Sequence, residues 1–191
     1  FVCCGHTGQR SEIQHSKGGQ SSICSHSKEI LPASDRPELF LPLLQNKRVA
    51  LMVNQTSMVG TVHLIDFLLS KQIQVKKVFA AEHGVRGDLP DGAVVNSEVD
   101  SKTGLPIVSL YGDVKKPKSS DLADVDIVVF DIQDVGCRFY TYLSSMHYAM
   151  EACAELNKQF VVLDRPNPNG HFIDGAVLQK GISSFVGMHP I

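Results

Sequence analysis

No run among the 191 residues comes near the ~20 consecutive apolar side chains that a membrane-spanning helix requires. No charge of one sign dominates either. The formal net charge is -2, and basic residues fall in short pairs such as Lys76-Lys77 and Lys115-Lys116 rather than in a stripe. Nucleic acid is therefore not an expected partner, because affinity for phosphates comes mainly from clustered Lys and Arg. Cysteine is sparse and odd in number, five in all, which does not suit a disulfide framework in a chain with an ample apolar core. Residues 1–29 lack core-forming side chains: only Phe1, Val2, Ile13 and Ile23 are large and apolar, among Ser, Gly, Gln, His and Cys. Such a segment cannot bury enough surface to offset its ordering entropy, so 1–29 reads as a disordered or foreign leader. Its Cys3, Cys4, His6, Cys24 and His26 are zinc-ligand types, but adjacent cysteines and a Cys-x-His pair match no usual structural zinc spacing. The chain opens on Phe1, not Met, so its natural start, with any signal peptide, is expected upstream.

What is present is an ordinary globular composition, 43% apolar and 20% charged, sufficient for one domain over 30–191. Ser34, Asp35 and Pro37 predict a helix start leading into a short helix over 36–45. Five apolar runs of strand length follow: Arg48 to Val53, Val75 to Ala81, Ile107 to Leu110, Ile127 to Ile132 and Phe160 to Leu163. They are rich in Val, Ile and Phe and alternate little, as strands covered on both faces do. Between them, Thr61 is placed to cap a helix reaching about Lys71, with Val62, Ile65, Leu68 and Leu69 on one face. The longest helix is expected over 139–156, where Phe139, Tyr142, Leu143, Met146, Ala149, Met150 and Cys153 recur at three- and four-residue steps. That stripe reads as core, with Cys153 a small buried hydrophobe. Strands alternating with helices predict an α/β, Rossmann-like fold: a mostly parallel sheet with helices on both faces.

In such sheets ligands bind beyond the carboxyl ends of the strands. All five predicted strands end in polar or aromatic groups there. Asn54-Gln55-Thr56-Ser57 follows the first, Glu82-His83-Gly84 the second and Tyr111-Gly112 the third; Asp131-Ile132-Gln133-Asp134 ends the fourth and Asp164-Arg165-Pro166-Asn167 follows the fifth. The opposite ends carry plain residues such as Lys47 and Gln159. The cleft is not built for a nucleotide: no G-x-G-x-x-G follows the first strand and no G-x-x-x-x-G-K-[ST] occurs. No G-x-S-x-G nucleophile elbow occurs either, which argues against an esterase of the α/β-hydrolase type. What remains is rich in carboxylates. Glu82, Asp131, Asp134 and Asp164 come from three strand ends, with Arg86, Arg138 and Arg165 close by in sequence. Crowded carboxylates raise one another's pKa and arginines lower it, so one carboxyl can stay protonated while another ionises. Glycoside hydrolysis commonly asks for that division of roles. Each residue also has a structural alternative. Asp131 and Asp134 can cap the long helix or pair with Arg138, and Arg165 can hold a turn. His83 can serve as a hydrogen-bonder, or as a metal ligand with Glu82 and Asp131. Only for Glu82 does a packing role lack an obvious reason.

Several long segments, in order, resemble one family. They are Ala81-Glu82-His83-Gly84-Val85-Arg86-Gly87, Thr103-Gly104-Leu105-Pro106, Ser109-Leu110-Tyr111-Gly112, the stretch from Asp131 to Tyr142, and Leu163-Asp164-Arg165-Pro166-Asn167-Pro168. Together they are similar to the NamZ-type exo-β-N-acetylmuramidases, long catalogued as a domain of unknown function, with similarity running from about Leu31 to Ile191. The resemblance implies an enzyme that removes N-acetylmuramic acid from the non-reducing end of peptidoglycan fragments, outside the cell or in the periplasm. It implies Glu82 as the acid and Asp131 and Asp134 as further catalytic candidates. As substrate-binding residues it and the strand-end pattern nominate Asn54, His83, Arg86, Tyr111, Gln133, Arg138, Tyr140, Tyr142, Asp164, Arg165 and Asn167. No cofactor and no metal are called for, and the expected ligand is a muramyl saccharide.

The chain departs from the family pattern at Ala81, where Pro usually precedes the Glu-His-Gly motif. Family members also continue past the point corresponding to Ile191 into a second domain, so the resemblance implies a domain incomplete at its C-terminal end and a chain whose turnover is in question. The alternative expectation is a non-catalytic carbohydrate-binding or regulatory protein that keeps the cleft. An arginine pairing with the lactyl carboxylate in a two-pronged geometry would set specificity for muramic acid.

Overall fold

The computed structural model describes residues 30–87 and 99–190. Contacts divide the chain into 1–30 and 31–191, and the expectations for residues 1–29 lie outside the described residues. In chain order, a 3-10 turn at Ala33–Asp35 leads to α1 (Pro37–Leu44), β1 (Arg48–Val53), a hairpin of β2 (Met58–Val59) and β3 (Val62–His63), and α2 (Leu64–Ser70). Then come β4 (Gln74–Ala80), β5 (Ile107–Ser109), α3 (Ser119–Leu122), β6 (Ile127–Asp131), α4 (Tyr142–Glu155) and β7 (Gln159–Val162).

The main sheet is five-stranded, in the order β5-β4-β1-β6-β7, and every pairing in it is parallel. Its centre explains the apolar runs. In β1, Val49, Leu51 and Val53 face α1 and α2 together with Phe40, Leu44, Leu64, Ile65 and Leu68. Ala50 and Met52 face the other way, with Leu122 of α3 and Tyr142, Ala149, Ala152 and Cys153 of α4. Successive strand residues alternate faces, so a strand covered on both sides must be apolar throughout. Each large side chain buried this way contributes roughly 1.5–3 kcal/mol relative to exposure. The α/β, Rossmann-like architecture with helices on both faces is thus observed.

The differences are local and have causes. Thr61 does not cap α2; it lies in the β2–β3 turn, and the helix begins at Leu64. His63 caps it instead, its Nδ1 accepting from the Ile65 N–H at 3.3 Å while Nε2 meets the Asn54 carbonyl at 2.9 Å. Burial lowers the His63 pKa, which suits a neutral ring with one acceptor nitrogen and one donor. α4 begins at Tyr142, and Phe139, expected in the core, is 72% exposed. Met150 is likewise 46% exposed, because the buried stripe runs through Tyr142, Ser145, Ala149, Ala152 and Cys153. Cys153 does lie in that core, and burial pushes its thiol up to about 11. Ser34 is no helix cap: it is buried and donates to the Met58 carbonyl at 2.9 Å.

Candidate active site

From β1 the chain passes to β4 and β5 on one side of the sheet, then returns to place β6 and β7 on the other. Such reversals open a crevice at the carboxyl ends of the two central strands. Here those strands are β1 and β6, in register through Val53 and Asp131. The crevice is stitched shut at its base. Ser57 donates to the Asp131 carbonyl, Thr56 donates from both N–H and hydroxyl to Asn54 Oδ1 at 2.9 and 2.6 Å, and the Gln133 N–H reaches Thr56 Oγ1 at 3.0 Å. Asn54 is buried, and its Nδ2 has no hydrogen-bond partner among the described residues.

Three groupings emerge from the predicted residues. The first surrounds Glu82, at the turn after β4. Tyr111, just beyond β5, donates its hydroxyl to Glu82 Oε1 at 2.8 Å, and Thr141, at the start of α4, donates to Oε2 at 3.1 Å. The Tyr142 hydroxyl donates to the Glu82 main-chain carbonyl at 3.3 Å, and Tyr140 meets Tyr142 edge-to-face with ring centres 4.9 Å apart. The bond to Glu82 is the main cause of a raised Tyr111 pKa. Burial pushes Tyr142 up to about 12, with Tyr140 and Glu82 adding to the push. The backbone marks the same place: His83 has φ 68°, followed by Gly84 at 76°. Among the described residues, the other non-glycine residues with positive φ, Asn46, Gln72 and Asn157, all follow helices, where a left-handed residue is routine. His83 follows a strand, and a left-handed non-glycine residue costs about 1–3 kcal/mol, held only when its surroundings impose it.

The second grouping is a buried ion pair. Asp131 is 0% exposed and receives Arg165 Nε at 2.5 Å on one oxygen and Nη2 at 3.0 Å on the other. Arg165, its side chain only 9% exposed, also donates to Ser34 Oγ at 3.1 Å and the Met58 carbonyl at 3.0 Å. Burial raises the Asp131 pKa against the opposing pull of Arg165. The third ties Arg86 to Asp100 through two bonds at 2.8 and 2.9 Å and to Asp66 at 3.5 Å, with Lys102 on Asp66 at 2.5 Å. Arg86 holds the Asp100 carboxyl at about 2. Two of the three predicted arginines therefore neutralise internal carboxylates, away from Glu82's own bonds.

The remaining nominees shape the loops. Gln133 Nε2 donates to the Asp134 and Pro166 carbonyls at 2.7 and 2.9 Å, tying the turn after β6 to the one after β7. Asn167 Oδ1 accepts from the Asn169 N–H at 2.9 Å; a Cβ on Gly136 would fall 2.4 Å from Asn167 Nδ2 and displace that amide, and its φ of 70° favours glycine. Asp164 is exposed, and its main-chain carbonyl accepts from Ala33 at 2.8 Å. Asp134 takes the Gly136 N–H at 3.1 Å on one oxygen; the other is buried and has no partner among the described residues. Asp134 also lines a cavity of about 170 Å³ with Arg138, Ser144, Asp174 and His189, and exposed Arg138 donates to the Ala176 carbonyl. Among the described residues no three His, Cys, Asp or Glu side chains gather as a metal requires, so Glu82, His83 and Asp131 form no donor set.

Thr141, Thr56, Ser57 and Ser34 were not among the site residues nominated from the sequence. The signals were the place of Thr56 and Ser57 after the first strand and that of Thr141 inside the Phe-Tyr-Thr-Tyr stretch ahead of a long helix.

The fold and crevice define an α/β protein with a carboxylate at a strand's carboxyl end, without a nucleotide fingerprint. Comparison with known proteins narrows this. Residues 49–191 match the N-terminal domain of the exo-β-N-acetylmuramidase NamZ family, and the chain belongs to that family. Over 153 residues it is 48% identical to a peptidoglycan β-N-acetylmuramidase NamZ of Bacillus subtilis (strain 168), which covers 78% of this chain and 36% of that relative. Two solved DUF1343 family proteins of Bacteroides fragilis NCTC 9343 are 44% and 43% identical, with TM-scores of 0.73 and 0.76. Each match covers 84% of this chain and 41% of the other. The chain thus spans well under half the length of these relatives.

Proposed function

We propose that this chain forms the Rossmann-like portion of a glycoside hydrolase that removes N-acetylmuramic acid from the non-reducing end of peptidoglycan fragments, with Glu82 as the acid. The observation that carries the reading is Glu82 itself, held between two hydroxyls at the carboxyl end of β4 beside a left-handed His83. It gains support from 48% identity to a relative named for cleaving that linkage. Asp131 enters as a positioning group, because Arg165 takes both its oxygens. Arg138, which lines a cavity with Asp134, is the arginine proposed for the lactyl carboxylate. The proposed setting is extracellular or periplasmic, where such fragments arise.

Glu82→Gln tests the role, because the amide keeps the size and hydrogen-bonding of the side chain. Cleavage of a muramyl disaccharide should fall by roughly 10²- to 10⁴-fold, the usual contribution of a positioned acid. A nitrophenyl β-N-acetylmuramide, whose leaving group needs little protonation, should lose much less. Folded Glu82→Gln protein cleaving the disaccharide within a few-fold of the parent would move the role elsewhere. Equal rates on the muramide and the matching glucosaminide would end the muramic-acid assignment.

A further inference from the structure

The geometry points to Tyr111 and Thr141 as positioning residues that hold the Glu82 carboxyl in one orientation, rather than as contacts to substrate. The inference rests on the proposed role of Glu82. A glutamate carries three rotatable side-chain bonds, and a proton donor is effective only if its oxygen stays within hydrogen-bond reach of the leaving group. Here each carboxyl oxygen has its own hydroxyl donor, from a different element: Tyr111 from the end of β5 on Oε1, Thr141 from the start of α4 on Oε2. A third hydroxyl, on Tyr142, holds the main-chain carbonyl of the same residue. Glu82 is thereby fixed at backbone and side chain together, across the sheet edge and the helix start.

Thr141 supplies an independent argument. It occupies the position before α4, where a threonine hydroxyl ordinarily accepts a bond from the first-turn N–H groups, yet it makes no such cap bond. Its backbone is already helical, φ -73° and ψ -5°, and its hydroxyl is turned to Glu82 instead. The first turn of α4 also carries no acidic residue. The helix start is organised around Glu82 at the expense of its own capping. Tyr111 fits the same role from the other side. A tyrosine hydroxyl is a protonated donor at neutral pH, and the bond to Glu82 only raises its pKa further. Each oxygen keeps a lone pair beyond the one its hydroxyl takes, so the tethers fix orientation and still leave the carboxyl able to face a substrate.

The test uses Tyr111→Phe, Thr141→Val and, as the conservative rescue, Thr141→Ser. On a muramyl disaccharide the first two should lower kcat on the order of tenfold with KM within about twofold, the loss of one orienting hydrogen bond. Thr141→Ser should restore kcat. On the nitrophenyl muramide, Tyr111→Phe should cause little further loss once Glu82→Gln is present, because it acts through Glu82. A raised KM with kcat preserved would make either residue a substrate contact and overturn the inference, as would parent-like kinetics. Crystal structures of the variants give a readout that needs no turnover. Glu82 should hold a single rotamer in the parent and more than one in Tyr111→Phe and Thr141→Val. An unchanged rotamer overturns the positioning role. A parent that cleaves neither sugar, but whose Glu82 loses its rotamer in the variants, sinks the muramidase reading and leaves the positioning role standing.

Discussion

Residues of the same type serve opposite purposes in this chain, and burial decides which. Glu82 is half-buried and bonded by neutral hydroxyls, whereas Asp131 is wholly buried and bonded by a guanidinium. The Asp131–Arg165 pair joins β6 to the turn after β7 and, through Ser34 and the Met58 carbonyl, to the segment before α1 and the hairpin. Removing one partner leaves the other charge buried without compensation. Arg165→Met should therefore destabilise the fold by about 3–5 kcal/mol, while pairing it with Asp131→Leu should recover part of the loss. Urea denaturation of the single and double variants checks this; a single variant with the parent's midpoint would show that the pair contributes little.

Among the elements, α4 shows how a periodic pattern can be right in kind and wrong in phase. Its apolar residues recur at helical steps on more than one face, so sequence placed Phe139 and Met150 in the core with Ala149 and Cys153. The structure starts the helix at Tyr142, leaving Phe139 outside it and exposed, and Met150 is exposed because Ala149, Ala152 and Cys153 take the face in the cluster with Ala50, Met52 and Phe130. Met150→Lys should then change stability by no more than about 0.5 kcal/mol, as surface substitutions do. Ala149→Leu, one residue earlier, should cost about 1–3 kcal/mol by overpacking. Thermal melting of both variants separates the two faces; equal losses would mean the helix is rotated from its observed position. The start of α2 shows a different limit. Histidine is not a usual cap, and His63 acts as one only because burial beside the Asn54 carbonyl keeps its ring neutral with Nδ1 free to accept.

Taken as a whole, the molecule joins distant segments through ion pairs whose pH dependence can be read off. Arg86, after β4, gathers Asp66 of α2 and Asp100 of the segment before β5. Arg86 holds Asp100 down at about 2; at Asp66, burial pushes upward but Lys102 and Arg86 outweigh it, and the pKa falls. A carboxyl lower in the folded state contributes stability above its unfolded value, near 4, and loses it as pH falls through its folded value. The urea midpoint should accordingly drop between pH ~4 and ~2. In Arg86→Met, less stable at neutral pH, that drop should be shallower, because Asp100 then titrates closer to its unfolded value. Parallel pH profiles for parent and variant would show that this cluster does not drive the acid response.

By itself the sequence determined the sheet and the polar character of its strands' carboxyl ends. The runs at Val49 to Val53 and Ile127 to Phe130 are apolar without a break, as a strand covered on both faces requires, and all five strands give way to polar groups at their carboxyl ends. The order of the long motifs from Glu82 to Asn167 likewise sufficed for the family, as the match over residues 49–191 bears out. Tertiary structure alone decided which charges face one another. Asp131 and Arg165 are 34 residues apart, and nothing local marks which arginine a buried carboxylate takes. The same holds for Thr141, 59 residues from Glu82, whose hydroxyl could as well have capped its own helix. Periodicity is a property of neighbours along the chain. Hydrogen-bond partnership depends on which strand ends the crossovers bring together, and no local pattern records that.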